Sequence, residues 1–184
     1  MKQHSQQGFT LIEMVMVTIA IGIIGSMAAT MLFQGADIYV DETRRQGFIS
    51  EARSAFWRLQ RDTQGQTNPL DFTFSDANSV YVRNAAGEQK NYQIDSGGLF
   101  SLEKNNTTYT LSNMAHYNNS SFQFYNSSYA AISPSSGGMT EAEAAAVHLT
   151  KLTVTFAADQ DTINMSAWVF PQNFRFGTKM SYHQ

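Results

Sequence analysis

From Phe9 to Phe33 the chain runs for 25 residues with one charged side chain, Glu13, and no proline. At about 1.5 Å per residue such a stretch makes roughly 37 Å of helix, enough to cross a hydrocarbon core of about 30 Å with some tilt. Any further fold has to accommodate a rod of this kind. A secretory signal has a shorter apolar stretch, roughly 7–15 residues, with its small-residue cleavage site behind it. Here the polar stretch MKQHSQQG lies in front. Lys2 is the fixed positive charge before the run and favours a cytoplasmic leader, with the bulk of the chain on the other side of the membrane. An ionised carboxylate inside a membrane-spanning segment costs roughly 2.5–3.5 kcal/mol at the helix centre, so Glu13 is expected to have a partner and a task.

The string Gly8-Phe9-Thr10-Leu11-Ile12-Glu13 resembles the start of the type IV pilins and type II secretion pseudopilins. The resemblance implies a cut by a prepilin peptidase between Gly8 and Phe9, N-methylation of Phe9, and retention of the helix on the mature protein. It also implies the partner: Glu13, the fifth residue after the cut, pairs with the N-terminal amine of a neighbouring subunit. The physics agrees, because an ammonium and a carboxylate among apolar helices attract strongly, while either alone carries a desolvation penalty. The alternative is a Glu13 that snorkels to the interface of an ordinary single-span anchor, which leaves the rest of the string unexplained. One departure from the family pattern is Thr30, which stands where major pilins often carry a helix-breaking proline and so argues for a minor subunit.

Thr18, Gly22, Gly25, Ser26, Ala28, Ala29 and Thr30 are small residues within the run. Gly22 and Ser26, four apart, form a small-xxx-small pair that lets helices approach closely in lipid, or else plain filler. After the run about 150 residues remain of the 184, one domain by size. A net charge of −3 provides no basic field, so nucleic acid is not an expected partner. The absence of cysteine removes thiolate catalysis, cysteine-ligated zinc and any disulfide frame.

Between Gln34 and Thr63 the residues Phe48, Ala52, Ala55, Phe56 and Leu59 recur at helical spacing, with Arg44, Arg45, Arg53, Arg58 and Arg61 mostly elsewhere on the wheel. This predicts an amphipathic continuation of the first helix, ending near Gln64-Gly65 ahead of Asn68-Pro69. Trp57 reads as a core residue, with an interface position the alternative. The stretch Ala52 to Asp62 is similar to the helix of J-type minor pseudopilins and of MshO-type minor pilins of mannose-sensitive haemagglutinin pili. The arginines read as a solvated face or, alternatively, as a surface for an acidic partner.

From Asp71 onward short alternating segments predict an antiparallel meander: Phe72 to Phe74, Ser79 to Arg83, Asn91 to Ile94, Leu99 to Glu103 and Thr107 to Leu111. Turn-rich pieces separate them at Asn84 to Gly87, Asp95 to Gly98 and Lys104 to Asn106. Ser121 to Tyr125 alternates again, Asn126 to Met139 reads as a surface loop, and Thr140 with Glu143 forms a capping box opening a short helix through Ala146. A final hairpin pairs Leu149 to Phe156 with Thr162 to Phe170 around Asp159-Gln160-Asp161, and Pro171 ends it.

The expected fold is therefore α+β: a long N-terminal helix, transmembrane in one half and amphipathic in the other, packed on an antiparallel sheet, as pilin-like folds are built. The expected division is 1–8 leader, removed; 9–33 transmembrane and assembly helix; 34–64 amphipathic continuation; 65–184 β-rich periplasmic domain. His4, His116, His148 and His183 occur singly, with no metal-ligand spacing, and no nucleophile elbow or phosphate loop is present. No catalytic residue, metal or cofactor is expected; Asp159-Gln160-Asp161 reads as a solvated turn rather than a calcium site. The expected partners are the prepilin peptidase, other pilins or pseudopilins and an inner-membrane assembly platform. The rivals are a single-span periplasmic binding protein that does not assemble, and a pilus-tip adhesin working through the Ser/Asn-rich loop between Tyr117 and Ser136.

Overall fold

The computed structural model describes residues 9–83, 87–135, 137–159 and 161–171. The leader with Gly8, residues 84–86 of the expected turn, Gln160, and the segment containing His183 lie outside them. One helix, α1 (Leu11–Gln64), opens the chain and contributes to two compact units, one up to Gln46 and one from Gly47 onward.

In the first unit every described side chain is exposed. In lipid there is no water to satisfy polar groups, and the hydroxyls here bond to their own helix. Thr18 donates to Met14 O and Val15 O at 3.1 and 2.9 Å, Ser26 to Ile23 O at 2.8 Å, and Thr30 to Ser26 O at 2.9 Å. The helix is long and apolar enough to cross a membrane.

In the second unit α1 buries Phe48, Ala52, Ala55, Phe56, Leu59 and Thr63, the stripe anticipated from the spacing. Trp57 departs from expectation: it is 64% exposed. At about 100° per residue it points roughly 150° away from the centre of that stripe, so its size could not bring it inside.

The segment around Phe72 to Phe74 is a 3-10 turn, Pro69–Phe72, rather than a strand. Asn68 caps it by accepting Leu70 N–H at 3.0 Å, and Pro69 suits the first position because it has no N–H to satisfy. Phe72 is buried edge-on against Phe124, with ring centroids 5.5 Å apart, so hydrophobicity alone had suggested a strand where a cap and a proline dictate a turn.

The strands divide into two four-stranded antiparallel sheets rather than a single one, and the expected meander forms the first of them. The first holds β1 (Ser79–Arg83), β2 (Gln89–Ile94), β3 (Phe100–Lys104) and β4 (Thr107–Ser112) in sequence order. Asn105 and Asn106, at φ 52° and 57°, make the two-residue turn between β3 and β4 that twisted hairpins prefer. The second sheet has the order β6 (Ala131–Ile132), β5 (Ser121–Tyr125), β7 (Leu149–Ala158), β8 (Asp161–Val169). After β4 the chain leaves the first sheet: Ala115 bridges to Phe156, and His116 N–H bonds Thr155 O at 2.7 Å. Helix α2 (Glu141–Ala145) carries the anticipated capping box, with Thr140 N–H on Glu143 Oε2 at 2.7 Å and Glu143 N–H on Thr140 Oγ1 at 3.3 Å.

Val80, Val82, Tyr92, Ile94, Phe100 and Leu102 from the first sheet meet Phe122, Phe124, Leu152, Val154 and Phe156 from the second, in one core with the buried stripe of α1. The outer edge of β1 is closed by side chains. Buried Gln66 accepts Arg83 N–H at 2.6 Å and donates to Tyr81 O at 3.3 Å, while Ser75 Oγ accepts Tyr81 N–H at 2.9 Å. An amide side chain thus stands in for a neighbouring strand.

Candidate functional site

Leu11 to Glu13 form the first turn of α1, and Thr10 stands at its cap. Thr10 N–H and Thr10 Oγ1–H both donate to Glu13 Oε2 at 2.9 Å, and Glu13 N–H reaches Thr10 Oγ1 at 3.4 Å. This is the reciprocal capping geometry of a Ser/Thr followed three residues later by Glu. It satisfies two of the orphan donors at the helix start and sets the carboxylate back over the N-terminus, the positive end of the macrodipole. Both bonds to the carboxylate fall on Oε2; Oε1 has no partner among the described residues. The Thr-x-x-Glu spacing is the same as at Thr140 and Glu143, so Glu13 has a partner within its own chain besides the one expected from a neighbouring chain.

Phe9, next to the capping residue, is 81% exposed. Gly8, the other half of the expected cleavage site, lies outside the described residues. Gly22 and Ser26 are exposed one turn apart, and a Cβ added at Gly22 would meet nothing within 4 Å. Within the chain, therefore, Phe9, Thr10 and Glu13 come together, whereas Gly22 and Ser26 lie on open helix surface.

In the second unit Arg53, Trp57, Arg58 and Arg61 share the exposed side of α1. At its far end α1 is tied to the first sheet by Asp62, which accepts from Lys90 Nζ at 2.6 Å and from Tyr92 Oη at 2.5 Å on the same oxygen. Burial, then the Asp62 hydrogen bond and charge, push the Tyr92 phenol well above its ordinary value.

A cleft of about 300 Å³ is lined by Asp76, Asn78, Gln93, Asp95 and Tyr117 among others. Its carboxylates hold turns: Asp76 Oδ1 accepts Asn78 and Ser79 N–H at 2.7 Å each, and Asp95 Oδ1 accepts Gly97 and Leu99 N–H at 2.8 and 2.9 Å. Among the described residues no three His, Cys, Asp or Glu side chains come together as a metal site. His148 packs edge-on against Phe170, and His116 precedes a 3-10 turn, Tyr117–Asn119, without a side-chain bond to it. No family model matches this chain, and comparison with curated proteins and with solved structures returns no relative.

Proposed function

We propose that this chain is a minor pilin or pseudopilin, a structural subunit of a type IV pilus or a type II secretion pseudopilus, acting in the tip or priming complex. In this reading the prepilin peptidase cuts between Gly8 and Phe9, and Phe9 is methylated. The 9–33 segment anchors in the bacterial inner membrane, and the β-rich part lies in the periplasm. Other pilins or pseudopilins and the assembly platform in the inner membrane are its partners, and the chain is a peptidase substrate rather than an enzyme.

The observation that carries the reading is a carboxylate mounted at the head of an apolar helix that has no buried residue from Phe9 to Gly47. Lipid can cover that surface first and neighbouring helices afterwards. Thr10 holds one oxygen of Glu13 and thereby orients the group, leaving the other for an ammonium from a neighbour. Away from water that pair attracts strongly, and an unmatched carboxylate is penalised, so the pairing favours one register between subunits.

N-terminal sequencing and intact mass of the protein from its native membrane test the processing. Phe-Thr-Leu at the N-terminus supports the reading, and Met-Lys-Gln overturns it. Glu13→Val tests the pairing: the variant should reach the membrane but fail to enter filaments or support secretion.

A further inference from the structure

Beyond the membrane run the charges of α1 fall into two blocks instead of alternating. Residues 34–43 hold three acids, Asp37, Asp41 and Glu42, and no base. Residues 44–61 hold five arginines and one acid, Glu51. The three acids of the first block are exposed, and Asp37 and Asp41 stand one turn apart.

The second block ends in a cationic face. Arg53, Trp57 and Arg61 follow one another at single-turn spacing and are all exposed. Their countercharges are spent or turned away. Asp62 gives one oxygen to Lys90 and Tyr92, and its other oxygen lies 4.0 Å from Arg61 Nε. Glu51 is half-buried and sits about 120° round the helix from Trp57. Arg58, on the flank, bonds Tyr92. Among the described residues Arg53 and Trp57 make no hydrogen bond, ion pair or ring contact. Tryptophan and arginine are the residues that most often carry binding energy at a contact, and a face that only had to stay solvated would have no use for the tryptophan.

The two blocks are opposite in sign but cannot meet within one chain. Eleven residues of α1 separate Glu42 from Arg53, about 16 Å of helix, which is beyond the reach of an ion pair. Two chains side by side can bring them together. We infer that the Arg53, Trp57 and Arg61 face docks the acidic 37–42 segment of a second copy, with the tryptophan covered between the ion pairs. Each copy offers its acidic segment at one place and its arginine face at another, so the contact is heterologous and repeats from copy to copy. It goes beyond the assembly reading, because it uses neither the cut at Gly8 nor Glu13.

Sedimentation of the full-length protein in non-ionic detergent tests this contact. Self-association should be strongest at about 50 mM salt and weaken at least about tenfold by about 0.5 M, since exposed charges are screened. At low salt, Arg53→Glu with Arg61→Glu should weaken it by a similar factor, and so should Asp37→Lys with Asp41→Lys. All four positions are exposed, so circular dichroism and melting should match the parent. An equimolar mixture of the two variants should recover the parent's association, because each then meets its opposite sign on the other. Glu13→Val should change none of this, so a failure of pairing through Glu13 and a failure of this contact read out separately. A protein that is monomeric at low salt overturns the inference. So does association that ignores the two glutamates, or a mixture that fails to recover. Arginine-dependent binding to phosphatidylglycerol vesicles without self-association overturns it as well.

Discussion

Tyr92 Oη and Lys90 Nζ converge on the same oxygen of Asp62, from 2.5 and 2.6 Å, and so fasten the end of α1 to the middle of the first sheet. Tyr92 is fully buried and Asp62 nearly so, and each donor would be left short if the carboxylate were lost. Asp62→Ala should therefore cost about 2–4 kcal/mol, more than Tyr92→Phe at about 1–2 kcal/mol, because the alanine strands two donors and the phenylalanine none. Denaturant unfolding of the two variants gives the comparison.

The same phenol makes stability depend on alkaline pH. Its value is raised in the folded protein, as is that of Tyr81 through burial and then the charges of Glu103 and Asp76. A raised group leaves stability intact below the unfolded value near 10 and erodes it as pH climbs toward the folded one, since only the unfolded chain then ionises. Melting temperature should be flat up to about pH 9 and fall above it, and Tyr92→Phe should flatten that fall.

Removing the plug on β1 should be costly. Gln66→Leu keeps the volume but leaves Arg83 N–H and Tyr81 O without their partners at 2.6 and 3.3 Å. We expect a loss of about 2–4 kcal/mol, together with new self-association through the opened edge, detectable by light scattering.

Gly138, at φ 97°, presses against Phe74, where an added Cβ would lie 2.3 Å from Phe74 O. Phe74 is itself left-handed at φ 72° and 62% exposed. Gly138→Ala should destabilise by more than about 3 kcal/mol, whereas Phe74→Asn, a residue that tolerates this conformation, should raise stability by up to about 1 kcal/mol. Thermal melts of the pair test both signs.

Trp57→Ala should leave the melting temperature unchanged, because an exposed aromatic supports no packing. If the arginine-flanked face serves assembly, the same variant should reduce filament formation in cells.

Much of this architecture was legible in the residues. The limits of α1 followed from an apolar run, a helical stripe and the Asn68-Pro69 stop, and most strands from alternation. Alternation tells which side chains point inward but not which sheet a strand joins, so two sheets were read as one. Phe72 to Phe74 failed because apolar content outweighed a cap and a proline. Trp57 lies outside the core because its angle on the wheel, about 100° per residue, sets it opposite the buried stripe. The Thr10–Glu13 box carries the Thr-x-x-Glu signature, but it sits inside an apolar run whose length points to lipid first. Gln66 had no local signal at all: its role depends on strand residues 15 and 17 positions away.

Among the described residues, every buried apolar side chain of the core lies at Phe48 or beyond. Cooperative unfolding therefore reports on the part of the molecule beyond that point. Calorimetry should be blind to changes upstream of it, while a screen for insertion or assembly should register little else there.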